Sequence, residues 1–437
     1  MSEVRAAPPP EPADPTPPVI SPKPAGILRT LGPGLVTGAA DDDPSGIATY
    51  SQVGAQFGYG LAWTMLFSFP LMAVIQAVSA RIGRVTGRGI AQNLRRHYPR
   101  SLLLSVVTLL LVANVINLGA DLGAMGAALG LLIGGPEHVY TVLFGVACIL
   151  LEILIPYARY AAVLKWTTLS LFAYVAVVFA VKVPWGTALY GIVVPELVLD
   201  APHAIALVAV LGTTISPYLF FWQAGQEVEE QHRRHVKALC IAPRTAGPEL
   251  ARIRTDTLVG MGLSNLVAVF IIIATAATLN ASGITDIQAS SQAAEALRPV
   301  AGDFAFALFA AGIIGTGMLA IPVLAGSAAY AVSEAFRWTE GLDRRFREAK
   351  AFYAVIAATT LGGAAINFTP IDPIKALYWS AVVNGVLAAP LMAVMMVISV
   401  NPRIMGRLTL SRPMLVLGWL ATLVMAAVTV GFFCLGV

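Results

Sequence analysis

The sequence is poor in charge and in cysteine. Only 12% of its 437 residues are charged and 57% are hydrophobic, whereas about a quarter of the residues in soluble domains are charged. This balance excludes a purely water-soluble fold. The three cysteines lie far apart without CxxC spacing, so they form no disulfide framework. The sequence also lacks GxSxG, HExxH and P-loop patterns and any long polar segment for a catalytic domain, which argues against an enzyme.

The apolar residues form many runs of about 20, the length that crosses about 30 Å of hydrocarbon. We predict one all-α transmembrane domain over residues 26–437, preceded by a disordered, Pro-rich cytoplasmic tail over 1–25. Eleven transmembrane helices are predicted, near 27–57, 60–82, 101–133, 139–157, 162–182, 203–226, 256–280, 303–336, 352–368, 375–399 and 411–436.

The basic residues indicate the orientation of these helices. With the N-terminus in the cytoplasm, 25 of the 28 Lys and Arg residues fall on the cytoplasmic side, and only Lys182, Arg298 and Lys375 fall outside. Such a bias is typical of the positive-inside rule. We therefore predict a multi-pass protein of the plasma (inner) membrane with a cytoplasmic N-terminus. The net charge of +4 then requires no nucleic-acid partner.

Two predicted helices, the first and the sixth, are interrupted by helix-breaking residues. The first contains Asp41–Asp43 followed by Pro44 and Gly46, and the sixth contains Gly212, Ser216 and Pro217. The repeat unit is therefore five helices long, and because this number is odd, the second copy of the repeat is inverted across the membrane. We predict repeats at about 27–182 and 203–399, with helix 11 at about 411–436. Broken helices at matching places in inverted repeats indicate a transporter site near the bilayer midplane.

Carboxylates at membrane depth indicate that this site binds a cation. Asp41, Asp42 and Asp43 have no Lys or Arg within the apolar part of any span to neutralise them. Together with hydroxyls and unwound carbonyls they form an all-oxygen set, which suits hard divalent ions. Asp43 is the main candidate, while Asp41 and Asp42 could instead cap helix ends or meet solvent. An amino-acid carrier is disfavoured by these carboxylates, and a channel by the inverted repeat.

Several motifs resemble the natural resistance-associated macrophage protein (Nramp) family of divalent metal transporters, over nearly the whole chain after the tail. They are LGPG at 31–34, DPSG at 43–46 in place of DPGN, SARIGRVTGRGIA at 79–91, PYLFFWQ at 217–223, ALRPVAG at 296–302 and PVLAGSAAYAVSEA at 322–335. The resemblance implies a leucine-transporter-type fold of two inverted five-helix repeats plus an eleventh helix, which moves its ion by alternating access.

Matching the motifs places the metal site of the family on four residues of this chain. Its aspartate falls on Asp43, its asparagine on Gly46, its methionine on Ser216 and a carbonyl donor on Thr213. The loss of the thioether removes a preference for transition metals, and the loss of the asparagine removes an oxygen ligand. The pattern is similar to the Nramp-related magnesium transporter branch, which implies transport of Mg²⁺, with Mn²⁺ as a second substrate.

Most residues that would carry protons in the family are replaced in this chain. Asp121 matches an aspartate of the third helix, but two glutamate positions fall on Ala124 and Asn114, and two histidine positions fall on Tyr218 and Gln223. Amides and alanine cannot relay protons, so we expect uptake without proton coupling. The alternative is a proton-coupled Mn²⁺/Fe²⁺ symporter of the Nramp type.

Further candidates are weaker. The residues of second rank are Asp41, Asp42, Asp121, Tyr218, Gln223, Asn265 and Asn384. An isolated membrane asparagine is more often a contact between helices than a ligand. The expected partners are the divalent ion and the lipid bilayer, with no cofactor besides the transported ion. A monomer would suffice, and the sequence leaves the oligomeric state open.

Overall fold

The computed structural model describes residues 32–155, 170–370 and 372–435, in which all regular structure is helical. The Pro-rich tail and the first part of the predicted fifth span lie outside the described residues. The first ten α-helices are α1 (Pro33–Asp41), α2 (Pro44–Phe57), α3 (Trp63–Thr86), α4 (Ile90–His97), α5 (Arg100–Ile133), α6 (Glu137–Leu154), α7 (Phe172–Ala180), α8 (Trp185–Val193), α9 (Ala201–Thr214) and α10 (Pro217–Arg233).

The second half of the chain continues the helical architecture. Its α-helices are α11 (Ala246–Thr278), α12 (Ser290–Glu295), α13 (Arg298–Ala301), α14 (Ala305–Phe336), α15 (Lys350–Ile366), α16 (Pro373–Val400), α17 (Pro402–Met405) and α18 (Arg412–Cys434). Short 3₁₀ turns lie at Pro243–Thr245, Asn280–Ser282 and Gly302–Phe304.

Eight helical segments of the described chain are long and apolar enough to cross a membrane. They are α3, α5, α6, the pair α9 and α10, α11 with its flanking 3₁₀ turns, α13 and α14, α16, and α18. The shorter α15, with 17 residues, is apolar as well. The all-helical, multi-span architecture is therefore confirmed, while the number of eleven spans stays a prediction.

Both predicted interruptions are present in the described chain. The first span is divided between α1, which ends at Asp41, and α2, which begins at Pro44. The sixth is divided between α9, which ends at Thr214, and α10, which begins at Pro217. Each new helix has proline at its first position, where the missing N–H costs nothing and the fixed φ favours a helix start.

Helices from each half of the chain pack on helices from the other half. The broken pair α1 and α2 packs on α11, the seventh span, while α10 packs on α3, the second span. The third span, α5, packs on its counterpart α14. Each broken helix thus contacts the second helix of the other half, which is the arrangement that an inverted repeat predicts.

Glycines permit the closest of these contacts. Gly38 of α1 lies against the backbone of Gly260 in α11, and Gly212 of α9 lies against Gly385 in α16. A Cβ at any of these positions would overlap the opposing backbone. Small residues let membrane helices approach closely and pack by van der Waals contact, and here they hold both broken helices against unbroken ones.

The outer helices present apolar side chains to their surroundings. Exposed large hydrophobic residues concentrate on α6, α8 and α18, where Leu154 and Val416 are 72% and 66% exposed. The polar residues near the breaks are buried instead. This distribution is typical of a membrane protein that has a polar centre inside an apolar shell.

Candidate metal centre

The first break is closed by its own aspartate. Asp43 has an extended backbone, with φ −71° and ψ 172°, and forms the N-cap of α2. Its Oδ1 accepts hydrogen bonds from the Gly46 amide and from the Ser45 hydroxyl, both at 2.7 Å. An aspartate at this position satisfies a free amide and lies at the positive end of the helix dipole. The DPSG motif therefore fixes one carboxylate oxygen of Asp43 locally.

The second break uses a hydroxyl in a different way. Ser216 is the N-cap residue of α10, but its side chain caps no amide of that helix. Its hydroxyl donates back to the carbonyls of Gly212, at 3.0 Å, and Thr213, at 2.8 Å. The carbonyl of Thr213, the predicted metal donor, is thus engaged by the predicted ligand Ser216 in this conformation.

The two breaks meet through the first turn of α10. The Tyr218 hydroxyl donates to Oδ2 of Asp43 at 2.9 Å and lies 3.4 Å from the carbonyl of Ala40. Gly46 lies beside Thr213, because a Cβ on Gly46 would be 3.2 Å from the Thr213 Oγ1 atom. The four residues predicted as the metal site therefore form one continuous cluster, which Tyr218 joins.

The space around Gly46 is more confined than its small size suggests. A Cβ there would also lie 3.3 Å from the Asp41 carbonyl and 3.4 Å from the Tyr50 ring. The missing side chain therefore leaves no open space beside Asp43 in this conformation. A roomier site beside Asp43 would therefore require the broken helices to move apart.

Asp41 and Asp42 are buried, at 0% and 6% exposure. Both accept a hydrogen bond from the Ser264 hydroxyl of α11, at 2.7 Å to Asp41 and 3.1 Å to Asp42. The second oxygen of Asp41 is buried without a hydrogen-bond partner among the described residues. The sequence left two alternative roles for these residues, capping of helix ends and contact with solvent. Their burial excludes contact with solvent in this conformation.

Asp121 of α5 adds a fourth buried carboxylate. It lies close to Asp43 and to the backbone amide of Ser45, and its oxygens make no regular hydrogen bond within the described chain. No ion pair among the described residues includes any of these four aspartates. The centre thus concentrates acidic groups without a basic partner.

This cluster differs from the preformed site of a resident metal. Nowhere in the described ranges do three Asp, Glu, His or Cys side chains converge as ligands of one ion. Any ion bound here must therefore draw on hydroxyls, carbonyls or its own water as well as on carboxylates.

Two of the remaining candidates, Asn384 and Gln223, make contacts between helices. Asn384 of α16 and Asn117 of α5 form a reciprocal amide pair, with N···O distances of 2.8 and 3.2 Å. Gln223 accepts a hydrogen bond from the Thr37 hydroxyl of α1. Asn265 is half-buried, and its amide oxygen has no partner within the described chain. Asn384 thus matches the interpretation of a contact between helices.

Sequence reasoning missed an aspartate that holds the start of α1. The carboxylate of Asp256 in α11 accepts the amides of Gly32, Gly34 and Leu35, at 2.9, 2.8 and 3.1 Å. Arg252, one turn earlier, forms an ion pair with Glu227 of α10 at 2.6 Å. The signal was the LGPG motif, since a helix that begins there leaves amides free and requires an acceptor.

Comparison with known proteins identifies the family of the chain. The family model "Natural resistance-associated macrophage protein-like" matches residues 34–435. The chain belongs to the Nramp family. Membership makes this Nramp protein a multi-pass membrane transporter and not an enzyme, as its interrupted helices and missing catalytic motifs predict.

Individual relatives are distant but cover most of the chain. This Nramp protein is 27% identical over 401 residues to the "Divalent metal cation transporter MntH" of Klebsiella pneumoniae (strain 342), covering 90% of each chain. It resembles a crystal structure of the Eremococcus coleocola manganese transporter with a TM-score of 0.73 and 17% identity, covering 93% of this chain and 86% of the other. MhsT in complex with L-phenylalanine is similar with a TM-score of 0.64 and 13% identity, covering 91% and 98%. These structures show the fold and support the predicted leucine-transporter type.

Proposed function

We propose that this protein is a secondary transporter for divalent metal cations that carries Mg²⁺ and Mn²⁺ by alternating access. The observation that carries the proposal is the cluster of four buried aspartates, Asp41, Asp42, Asp43 and Asp121, without an ion pair in the described chain. Buried carboxylates are costly unless they are protonated or neutralised by a cation. A divalent cation would neutralise two of them at once.

The donor set favours a hard ion. Asp43 offers a carboxylate, Thr213 a carbonyl and Ser216 a hydroxyl, while Gly46 offers no side chain. None of these is a sulfur or nitrogen ligand, which transition metals later in the series prefer. Magnesium keeps several of its waters when it binds, so a site with few protein donors suits it once the broken helices separate.

Binding requires Asp43 to exchange partners. In the described conformation the hydroxyls of Ser45 and Tyr218 donate to this carboxylate. A hydroxyl can rotate and present its lone pairs instead. We infer that an arriving cation displaces the Tyr218 hydroxyl from Asp43.

Uptake is proposed to proceed without protons. The Asn114 side chain donates to the Leu324 carbonyl at 2.8 Å and to the Ser327 hydroxyl at 2.7 Å. Its amide therefore holds α5 against α14. Gln223 likewise contacts Thr37. Neither amide can titrate. A membrane potential of 100 mV supplies a divalent ion with about 4.6 kcal/mol, which is enough to drive accumulation.

A proton-coupled Mn²⁺/Fe²⁺ symporter is the second candidate. It is favoured by the similarity to a divalent metal cation transporter and to a manganese transporter. The retained Asp121 beside Asp43 also gives one group that could accept a proton. The two candidates differ in what drives the ion.

Flux measurements separate these candidates. Purified full-length protein in liposomes, with the potential set and the pH clamped on both sides, is expected to take up Mg²⁺ when the interior is negative. Asp43→Ala should abolish this uptake, while the matched control Asp303→Ala, in the exposed 3₁₀ turn Gly302–Phe304, should retain it. Proton influx in fixed ratio to the metal would instead establish the symporter. Mn²⁺ uptake without Mg²⁺ flux would reject magnesium as a substrate.

A further inference from the structure

A second charged feature lies away from the broken helices, at the end of the bundle where basic residues concentrate. A cavity of about 570 Å³ lies between α4 and the end of α14. Its lining residues are Gln92, Arg95 and Arg96 from α4 and Arg337, which follows α14. Three of these four side chains carry guanidinium groups, which match phosphate in shape and charge.

These arginines outnumber the carboxylates beside them, since within the described chain only Glu334 and Glu340 interact electrostatically with Arg95. None of the three takes part in an ion pair among the described residues. Arg95 donates to the backbone carbonyl of Glu334, whose carboxylate accepts the Gln92 amide at 2.8 Å. Burial and the neighbouring Glu334 raise the pKa of Glu340 to about 9, and even two charged glutamates would offset only two of the three arginines. The cavity therefore holds excess positive charge.

The backbone of Arg337 supports a role for its side chain. This residue ends α14 with φ 63° and ψ 35°, a left-handed conformation. Glycine is the usual residue at such a helix end because other residues are strained there. An arginine at this position accepts that strain and places a guanidinium group at the cavity.

The surroundings of Arg337 are typical of a membrane surface. Phe336 and Trp338 flank it, are 48% and 42% exposed, and stack with ring centroids 5.3 Å apart. Exposed aromatic residues are enriched where membrane proteins meet the headgroups. Basic pockets on the cytoplasmic side of membrane proteins commonly hold acidic headgroups.

We propose that this cavity binds a phosphate-bearing anion, from an acidic phospholipid headgroup or from a soluble phosphate. The bound anion would bridge α4 and the end of α14 by neutralising arginines from both. This inference is independent of the ion proposed at Asp43.

Calorimetric titration of the purified full-length protein in neutral detergent tests this proposal. The probes are inorganic pyrophosphate, short-chain phosphatidylglycerol and, as the neutral lipid, short-chain phosphatidylcholine. The pocket variant is Arg96→Gln with Arg337→Gly, since glycine suits the left-handed backbone and should preserve the fold. The control is Arg403→Gln with Arg407→Gln, which removes the same charge at two exposed positions outside the cavity.

The proposal predicts binding of an anionic probe that weakens by about tenfold or more in the pocket variant, because charge-assisted hydrogen bonds are lost. The control double variant should bind like the wild type. Binding of phosphatidylglycerol alone would identify a lipid headgroup, and binding of pyrophosphate as well would identify a soluble phosphate. If neither anion binds better than phosphatidylcholine, or if both double variants weaken equally, the cavity is not a phosphate site.

Discussion

The first and second breaks share a design but differ in where they carry charge. At the first break, Asp43 caps α2 and holds the Gly46 amide. At the second break, Ser216 turns away from α10 and donates to carbonyls of α9. The N-terminus of α10, which is the positive end of the helix dipole, therefore lies at the junction without a side-chain cap. Tyr218, in the first turn of α10, contacts Asp43. The first break supplies the negative charge, and the second supplies neutral groups that contact it.

The two broken helices therefore contribute unequally to the site that they share. If the charge at Asp43 attracts the ion, substitutions at the first break should affect transport far more than substitutions at the second.

Asp43→Asn and Ser216→Ala give the largest contrast. Asp43→Asn keeps the size of the side chain but removes its charge, so we expect initial Mg²⁺ uptake in liposomes to fall about 100-fold, equivalent to about 2.7 kcal/mol. Ser216→Ala removes a neutral hydroxyl that can be replaced by water, so uptake should fall less than about tenfold. Equal losses in the two variants would show that the asymmetry is wrong.

The starts of the two broken helices provide a second contrast. Asp256 reaches α1 from another helix and accepts three amides while almost fully buried. Asp200, by contrast, caps α9 locally, accepting the His203 amide at 2.9 Å from a side chain that is 47% exposed. We expect Asp256→Ala to lower the free energy of unfolding by about 2 kcal/mol because buried donors lose their acceptor.

Thermal unfolding of the purified protein in detergent measures this contrast. Asp200→Ala is the matched control, since it removes a helix cap that water can replace, and it should lower the midpoint less. A midpoint for Asp256→Ala that is no lower than that of Asp200→Ala would mean that the three amides find other acceptors.

The same contrast shows what the sequence could and could not predict. Pro44, Gly46 and Pro217 are local signals, so the positions of both breaks follow from backbone chemistry alone. The contact of Asp256 with Gly34 spans 222 residues of chain, so it depends on packing that no local pattern records. For the same reason, Tyr218 appeared only as a replaced histidine, although its hydroxyl contacts the main candidate ligand, Asp43.

The length of α11 illustrates a second limit of the sequence. Hydropathy places the start of this span at residue 256, whereas the helix begins at Ala246. Its first turns carry Glu249 and Arg252, which form ion pairs with Arg84 and Glu227. A hydropathy pattern detects only the part of a helix that lies in hydrocarbon. The polar extension of α11 could be predicted only if its ion-pair partners were known.

The smallest predicted effect concerns selectivity at the second break. Ser216→Met introduces a thioether next to the Thr213 carbonyl and removes the hydroxyl that now occupies that carbonyl. A soft sulfur ligand favours Mn²⁺ over Mg²⁺, so the ratio of Mn²⁺ to Mg²⁺ uptake should rise about tenfold, equivalent to about 1.4 kcal/mol. Competition between the two ions in liposomes measures this ratio.

Ser216→Ala is the matched control for that experiment, because it also frees the Thr213 carbonyl but adds no sulfur. If the ratio rises only in Ser216→Met, the second break determines which ion is selected. The first break then provides the negative charge that attracts the ion. If both variants change the ratio equally, the freed carbonyl and not the sulfur is responsible. An unchanged ratio in both would place selectivity at the first break, where Asp43 and the confined backbone of Gly46 would then determine attraction and choice together.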